Sequence, residues 1–140
     1  KGDKTNSLKS LDQAARLDPR NVGIQLQIGK VYESMGDSDR ALSTYQRALT
    51  LDNQTSEAYR AIADLYYTQG DYGNAASQYR EVTRLDSNNA EGFYWLGKTY
   101  QSQNNRSDAE QALRKAKDLY KSQNADDGIR KVDAALEQLK

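Results

Sequence analysis

Residues 56–89, SEAYRAIADLYYTQGDYGNAASQYREVTRLDSNN, decide the fold, because their pattern returns on either side at an offset of 34 positions. Stepping 34 residues in both directions leads from Ala63 to Gly29 and Gly97, from Tyr66 to Tyr32 and Tyr100, and from Ala75 to Ala41 and Ala109. The same step leads from Val82 to Ala48 and Ala116, and from Leu85 to Leu51 and Leu119. A one-off globular chain has no need of such a period. A stack of like supersecondary units does, since each unit buries its apolar face only against its neighbours.

Inside the period the composition is helical. Ala, Leu, Gln, Glu, Lys and Arg fill the intervals and Pro19 is the only proline, so the class is all-α. Asn21, Thr55 and Asn89 precede a first helix, and Asp37, Asp71 and Asn105 precede a second. All six are residue types whose side chains accept a bond from an orphan N–H. Gly36, Gly70 and Asn104 fall in the turn between the two, where a left-handed conformation ends a helix. The spacing predicts helix pairs at 22–35 and 38–51, 56–69 and 72–85, and 90–103 and 106–121.

The repeats therefore run over 22–55, 56–89 and 90–123, with partial elements on either side. Leu8, Leu11, Ala14 and Leu17 share the register of Leu42, Tyr45, Ala48 and Leu51, so residues 5–17 are expected to form the second helix of a truncated upstream repeat. On this expectation the chain is the closing end of a longer array, and Leu8, Leu11 and Leu17 mark an open edge suited to self-association. At the other end the register fails, since Lys131 stands where Gly or Ala is expected. Ile129, Val132, Leu136 and Leu139 form a single stripe with a polar back, the pattern of a terminal cap over 125–139.

Composition narrows the function classes. The 140 residues hold 20 Lys plus Arg and 20 Asp plus Glu, for zero net charge, so no overall field favours nucleic acid or an anionic membrane. There is no Cys and no His, which removes disulfides, thiolate and imidazole metal sites, and every catalytic arrangement built on an imidazole base. Asp71, Asp86, Asp126 and Asp127 fall at caps, turns and a helix start, where capping and solvation explain them without catalysis. No enzymatic activity, metal or cofactor is expected. The apolar runs are far shorter than a membrane span. The lack of Cys suits a reducing cytosol and a periplasm equally and assigns neither.

The period and the residues at fixed offsets resemble the tetratricopeptide repeat, TPR, whose unit is an antiparallel helix pair of 34 residues. In the middle unit Tyr59, Ile62, Ala63, Tyr66, Gly70, Ala75, Tyr79, Val82 and Leu85 occupy the signature positions. The flanking units match through Ile28, Gly29, Tyr32, Gly36, Ala41, Tyr45 and Ala48, and through Phe93, Leu96, Gly97, Tyr100, Ala109 and Ala116. They depart at Gln25, Asn104 and Leu113, and Asn53 and Ser87 replace the proline kept at Pro19. The resemblance implies a right-handed α-solenoid of helix-turn-helix units closed by a capping helix. The small residues let paired helices approach, so a bulky residue at Gly29 or Gly97 is expected to cost about 1–3 kcal/mol through overpacking.

The resemblance also implies that successive first helices line a concave groove holding a partner peptide. The family's inward positions, mapped onto this sequence, give a candidate site of Leu26, Lys30, Arg60, Asp64, Tyr67, Tyr94, Trp95, Lys98 and Gln101. Trp95 is the only Trp, and aromatic side chains dominate binding hot spots. Trp95 either anchors a ligand there or packs under the capping helix or against its own repeat. Glu57 and Glu91 lie in first turns, where a carboxylate complements the helix dipole. TPR domains that clamp the carboxylate tail of chaperones carry Lys and Asn, then Asn, then Lys and Arg. Here Leu26 and Lys30, Ala61, and Glu91 and Trp95 stand in those places, so that clamp is absent. The expected function is a protein-interaction scaffold, with self-association through the open edge as the alternative.

Overall fold

The structure, a computed structural model, describes residues 2–140 and is all-α, with eight helices and no strand among the described residues. They are α1 (Gly2–Leu17), α2 (Val22–Ser34), α3 (Ser38–Leu51), α4 (Ser56–Thr68), α5 (Tyr72–Leu85), α6 (Ala90–Ser102), α7 (Arg106–Ser122) and α8 (Asp126–Glu137). The chain divides into two compact units, one running to Leu65 and the other comprising Tyr66–Lys140. Within them consecutive helices pack together: α1 on α2 and α2 on α3 in the first, α5 on α6, α6 on α7 and α7 on α8 in the second.

The predicted caps form as hydrogen bonds. Asn21 accepts from the Ile24 N–H, Asp37 from Arg40, Asp71 from Asn74, Asn89 from Gly92 and Asn105 from Asp108. At Thr55 the backbone carbonyl takes the Ala58 and Tyr59 N–H groups. Gly36, Gly70 and Asn104 adopt φ of 78°, 79° and 58°, the left-handed region in which glycine and asparagine close a helix. Each turn is sealed by the same bond: Asp37 N–H to Tyr32, Asp71 N–H to Tyr66 and Asn105 N–H to Tyr100.

The turn after α7 repeats this device outside the 34-residue register. Asn124 has φ of 55°, and the Ala125 N–H donates to the Tyr120 carbonyl at 2.9 Å. The segments YQSQNN at 100–105 and YKSQNA at 120–125 are near copies. Thus α7 and α8 form a further hairpin of the intra-repeat type. Val132 and Ala135 of α8 are buried with Leu113, Ala116, Leu119 and Tyr120 of α7, and Ile129, Leu136 and Leu139 pack against that cluster. The stripe residues thus lie against α7, with α8 shorter than 125–139 and Leu139 following its last turn.

The register residues make the core. Ala41, Ala75 and Ala109 are fully buried, as are Ala48, Val82, Ala116 and Tyr79, and Tyr45 and Leu113 fill the seams between α2 and α3 and between α6 and α7. Small residues opposite them allow this. A Cβ at Gly29 would stand 2.7 Å from Tyr45 Cζ, and one at Gly97 would stand 2.7 Å from Leu113 Cγ. The Tyr45 hydroxyl donates to a Glu33 carboxylate oxygen. Burial first, and then that carboxylate, push the Tyr45 phenol far above the ordinary tyrosine range.

A pH prediction follows from its sign. A folded-state pKa above the unfolded value leaves stability intact below about pH 10 and removes it as pH rises further, because only the unfolded phenol ionises. Chemical denaturation in a pH series should therefore show a steeper loss above pH 10 for the parent than for Tyr45→Phe. Equal slopes would refute the assignment.

The N-terminal edge differs in part from expectation. Helix α1 starts at Gly2 and has no fully buried residue. Leu8 and Leu11 are half-buried, Leu11 lining a cleft of about 730 Å³ between α1 and α2. Only Leu17, 88% exposed, presents its side chain openly.

Candidate functional site

Helix α6 carries the aromatic part of the candidate site. Asn89 starts it by accepting from the Gly92 N–H at 2.7 Å. The helical period places Glu91, Tyr94, Trp95, Lys98, Gln101 and Ser102 on one side, while Leu96 and Gly97 turn into the core. Thr99 is fully buried and its hydroxyl donates to the Trp95 carbonyl at 2.7 Å. That bond satisfies the only polar side-chain atom Thr99 brings into the interior.

The second unit brings Tyr67, Tyr94, Trp95, Lys98 and Gln101 together. The Trp95 ring meets Tyr67 edge to face, with centroids 5.5 Å apart and planes at 74°, and meets Tyr94 at 5.4 Å and 75°. Tyr67 in turn meets Tyr72 at 5.3 Å and 66°. Such T-shaped pairs contribute about 0.5–1.5 kcal/mol each beyond their buried area, and they fix the rings without covering them. Tyr67, Tyr94 and Trp95 all remain half-buried. The indole Nε1–H donates to Glu91 Oε1 at 3.2 Å, and the Tyr67 and Ser102 hydroxyls lie 3.5 Å apart.

Helix α8 completes this face. Lys131 Nζ sits 4.5 Å from the Tyr94 ring centroid and 3.8 Å from Glu91 Oε1. Gln138 Oε1 accepts from Lys98 Nζ and from Gln101 Nε2, both at 3.3 Å, and Lys98 Nζ also donates to Gln101 Oε1 at 2.7 Å. Tyr94 packs against the core shared by α7 and α8. Burial, followed by the nearby Tyr67 and Glu91, raises its phenol above the ordinary value. Contact with the capping helix thus involves Tyr94, while the Trp95 ring spans Tyr67 and Tyr94.

The remaining expected residues lie in the first unit and are paired or buried. Lys30 Nζ is 2.5 Å from Glu57 Oε1 with both side chains more than half exposed, a pair of little energetic weight. Arg60 Nε bonds both carboxylate oxygens of Asp64, at 3.1 and 3.2 Å. Leu26 is a correction. It is only 7% exposed and belongs to the core, so it offers no open surface to a ligand. Three contributors escaped the sequence: Tyr72, Lys131 and Gln138. Tyr72 follows the cap Asp71 directly, a usable signal, whereas no local pattern marks Lys131 or Gln138.

Three family models match the chain: one described as tetratricopeptide repeat over residues 2–65, one as TPR repeat over 63–104, and one as tetratricopeptide repeat over 90–123. The chain belongs to the tetratricopeptide repeat family. Among solved structures, this TPR chain is similar to MamA, with a TM-score of 0.75 and 21% identity over 98% of this chain and 91% of that one. A MamA fragment from Desulfovibrio magneticus RS-1 gives a TM-score of 0.77 and 18% identity over 99% and 86% of the two chains. YrrB, a TPR protein with an unusual peptide-binding site, gives 0.74 and 22% over 81% of this chain and 59% of that one. These likenesses establish the fold. No curated protein matches the sequence. As a TPR fold, the chain is a protein–protein interaction scaffold.

Proposed function

We propose that this TPR chain binds a segment of a partner protein on the face of α6 that carries Tyr94, Trp95, Lys98 and Gln101, together with Tyr67. The braced, half-buried Tyr67–Trp95–Tyr94 cluster carries this conclusion. Rigid aromatics give much contact area for little entropy. YrrB, similar in fold, has a peptide-binding site, which supports the same use of the fold here. The zero net charge and the ion pairs at Lys30 and Arg60 favour a protein segment over nucleic acid. No described helix is long and apolar enough to cross a membrane.

The test uses peptides selected from a random display library on the intact chain. Trp95→Ala should weaken the selected peptides about tenfold, the effect of a modest hot spot, with helicity unchanged by circular dichroism. A library that yields no binder, or binders indifferent to both Trp95→Ala and Tyr67→Ala, overturns the proposal.

A second function rests on a separate observation. Leu17 is 88% exposed at the end of α1, and a second copy covering it would make the chain a self-association module. Sedimentation over a wide concentration range tests this, and a monomer throughout excludes it.

A further inference from the structure

We propose that the Tyr94 ring face and the Glu91 carboxylate form a cation subsite, filled in this structure by the chain's own Lys131, at which the partner segment presents an arginine side chain. This rests on the peptide-docking function above and specifies the chemistry of what docks. The Lys131 ammonium, 4.5 Å from the ring centroid, lies within the roughly 6 Å range in which an aromatic quadrupole attracts a cation. The same ammonium is 3.8 Å from Glu91 Oε1. Ring and carboxylate therefore converge on one positive charge.

The acceptor is held from the other side. Trp95 Nε1–H donates to that same Glu91 oxygen at 3.2 Å, and the Trp95 ring stands edge-on to Tyr94. Carboxylate, phenol ring and indole are thus braced against one another before any ligand arrives. The Lys131 and Glu91 side chains are 41% and 48% exposed, so the resident ammonium is hydrated and its displacement is inexpensive.

Arginine is the better occupant. A planar guanidinium stacks on an aromatic face while it donates two parallel bonds to a carboxylate, which a compact ammonium cannot do. Lys131 then sets a threshold. An exposed cation–π contact of about 0.5–1 kcal/mol makes the empty subsite about three- to sixfold less available than it is without Lys131. A partner segment overcomes this through its added contacts with Tyr67 and Trp95.

The probe is N-acetyl-arginine amide, titrated into the intact chain and followed by the emission of Trp95, the only tryptophan. Lys131→Met, which keeps the length and removes the charge, should bind the probe about three- to sixfold more tightly than the parent. Adding Glu91→Gln to Lys131→Met should cancel that gain, and the neutral citrulline analogue should not bind. Unchanged affinity in Lys131→Met, equal binding of citrulline, or no binding to Lys131→Met overturns the subsite. Failure of the docking function has a different signature, because selected peptides would then be indifferent to Trp95→Ala whatever the arginine probe does.

Discussion

Tyr45→Ala is expected to lower the unfolding free energy by about 3–5 kcal/mol, the range for truncating a buried aromatic to alanine. Tyr45 is fully buried, and its ring lies against Gly29 of α2. Helix backbones on both sides fix the site, so the cavity left behind cannot collapse. Truncation also deprives Glu33 of the hydroxyl that donates to it. Domains of this kind are stable by about 5–15 kcal/mol, so the variant should be largely unfolded at mild denaturant concentrations where the parent is native. Urea unfolding followed by circular dichroism measures the effect, with Tyr45→Phe as a reference expected to lose about 1 kcal/mol. A loss below 1 kcal/mol for Tyr45→Ala would show that the α2–α3 seam tolerates voids.

Alanine at Gly128 is expected to cost about 1–3 kcal/mol through overpacking. Its Cβ would stand 2.5 Å from both Cγ and Cε1 of Tyr120, and that ring is 8% exposed within the core of α6, α7 and α8. The ring cannot swing away without opening the cluster, so α8 must shift along or away from α7. Alanine at Gly29 or Gly97 faces the same conflict with Tyr45 or Leu113. By contrast, Gly2 meets no atom within 4 Å, so Gly2→Ala serves as a control expected to be neutral. Melting curves of the four variants should separate into three destabilised proteins and one close to the parent.

Most of the fold was legible because the 34-residue register is itself a structural constraint. A residue that must be small, such as Gly29 or Gly97, or left-handed, such as Gly36 or Asn104, recurs wherever the geometry recurs. The α7–α8 hairpin falls outside that register, since it obeys the same turn chemistry at a different spacing. The pairing of Tyr120 with Asn124, four residues apart as in Tyr32 with Gly36, was the available signal. Gly128 went unmarked for the same reason.

The site was less legible. Helical period gives the angle at which a side chain leaves its helix, but not what a neighbouring helix lays over it. Leu26 therefore reads as part of an open face although it is buried. Lys131 and Gln138 reach α6 only through the placement of α8, which no local pattern encodes. Tyr67, Tyr94 and Trp95 do meet, as two adjacent positions on α6 and one near the end of α4 allow.

The pairing of sequence neighbours within each unit, as in α2 with α3 and α6 with α7, bears on how the molecule is made. Contacts between sequence neighbours cost little loop-closure entropy, which is why chains rich in them fold quickly. Each hairpin can bury its seam soon after its second helix leaves the ribosome, without waiting for the C-terminus. Synthesis from the N-terminus then lets helices of the first unit pack before the second is complete, which shortens the time their apolar faces are open to other chains.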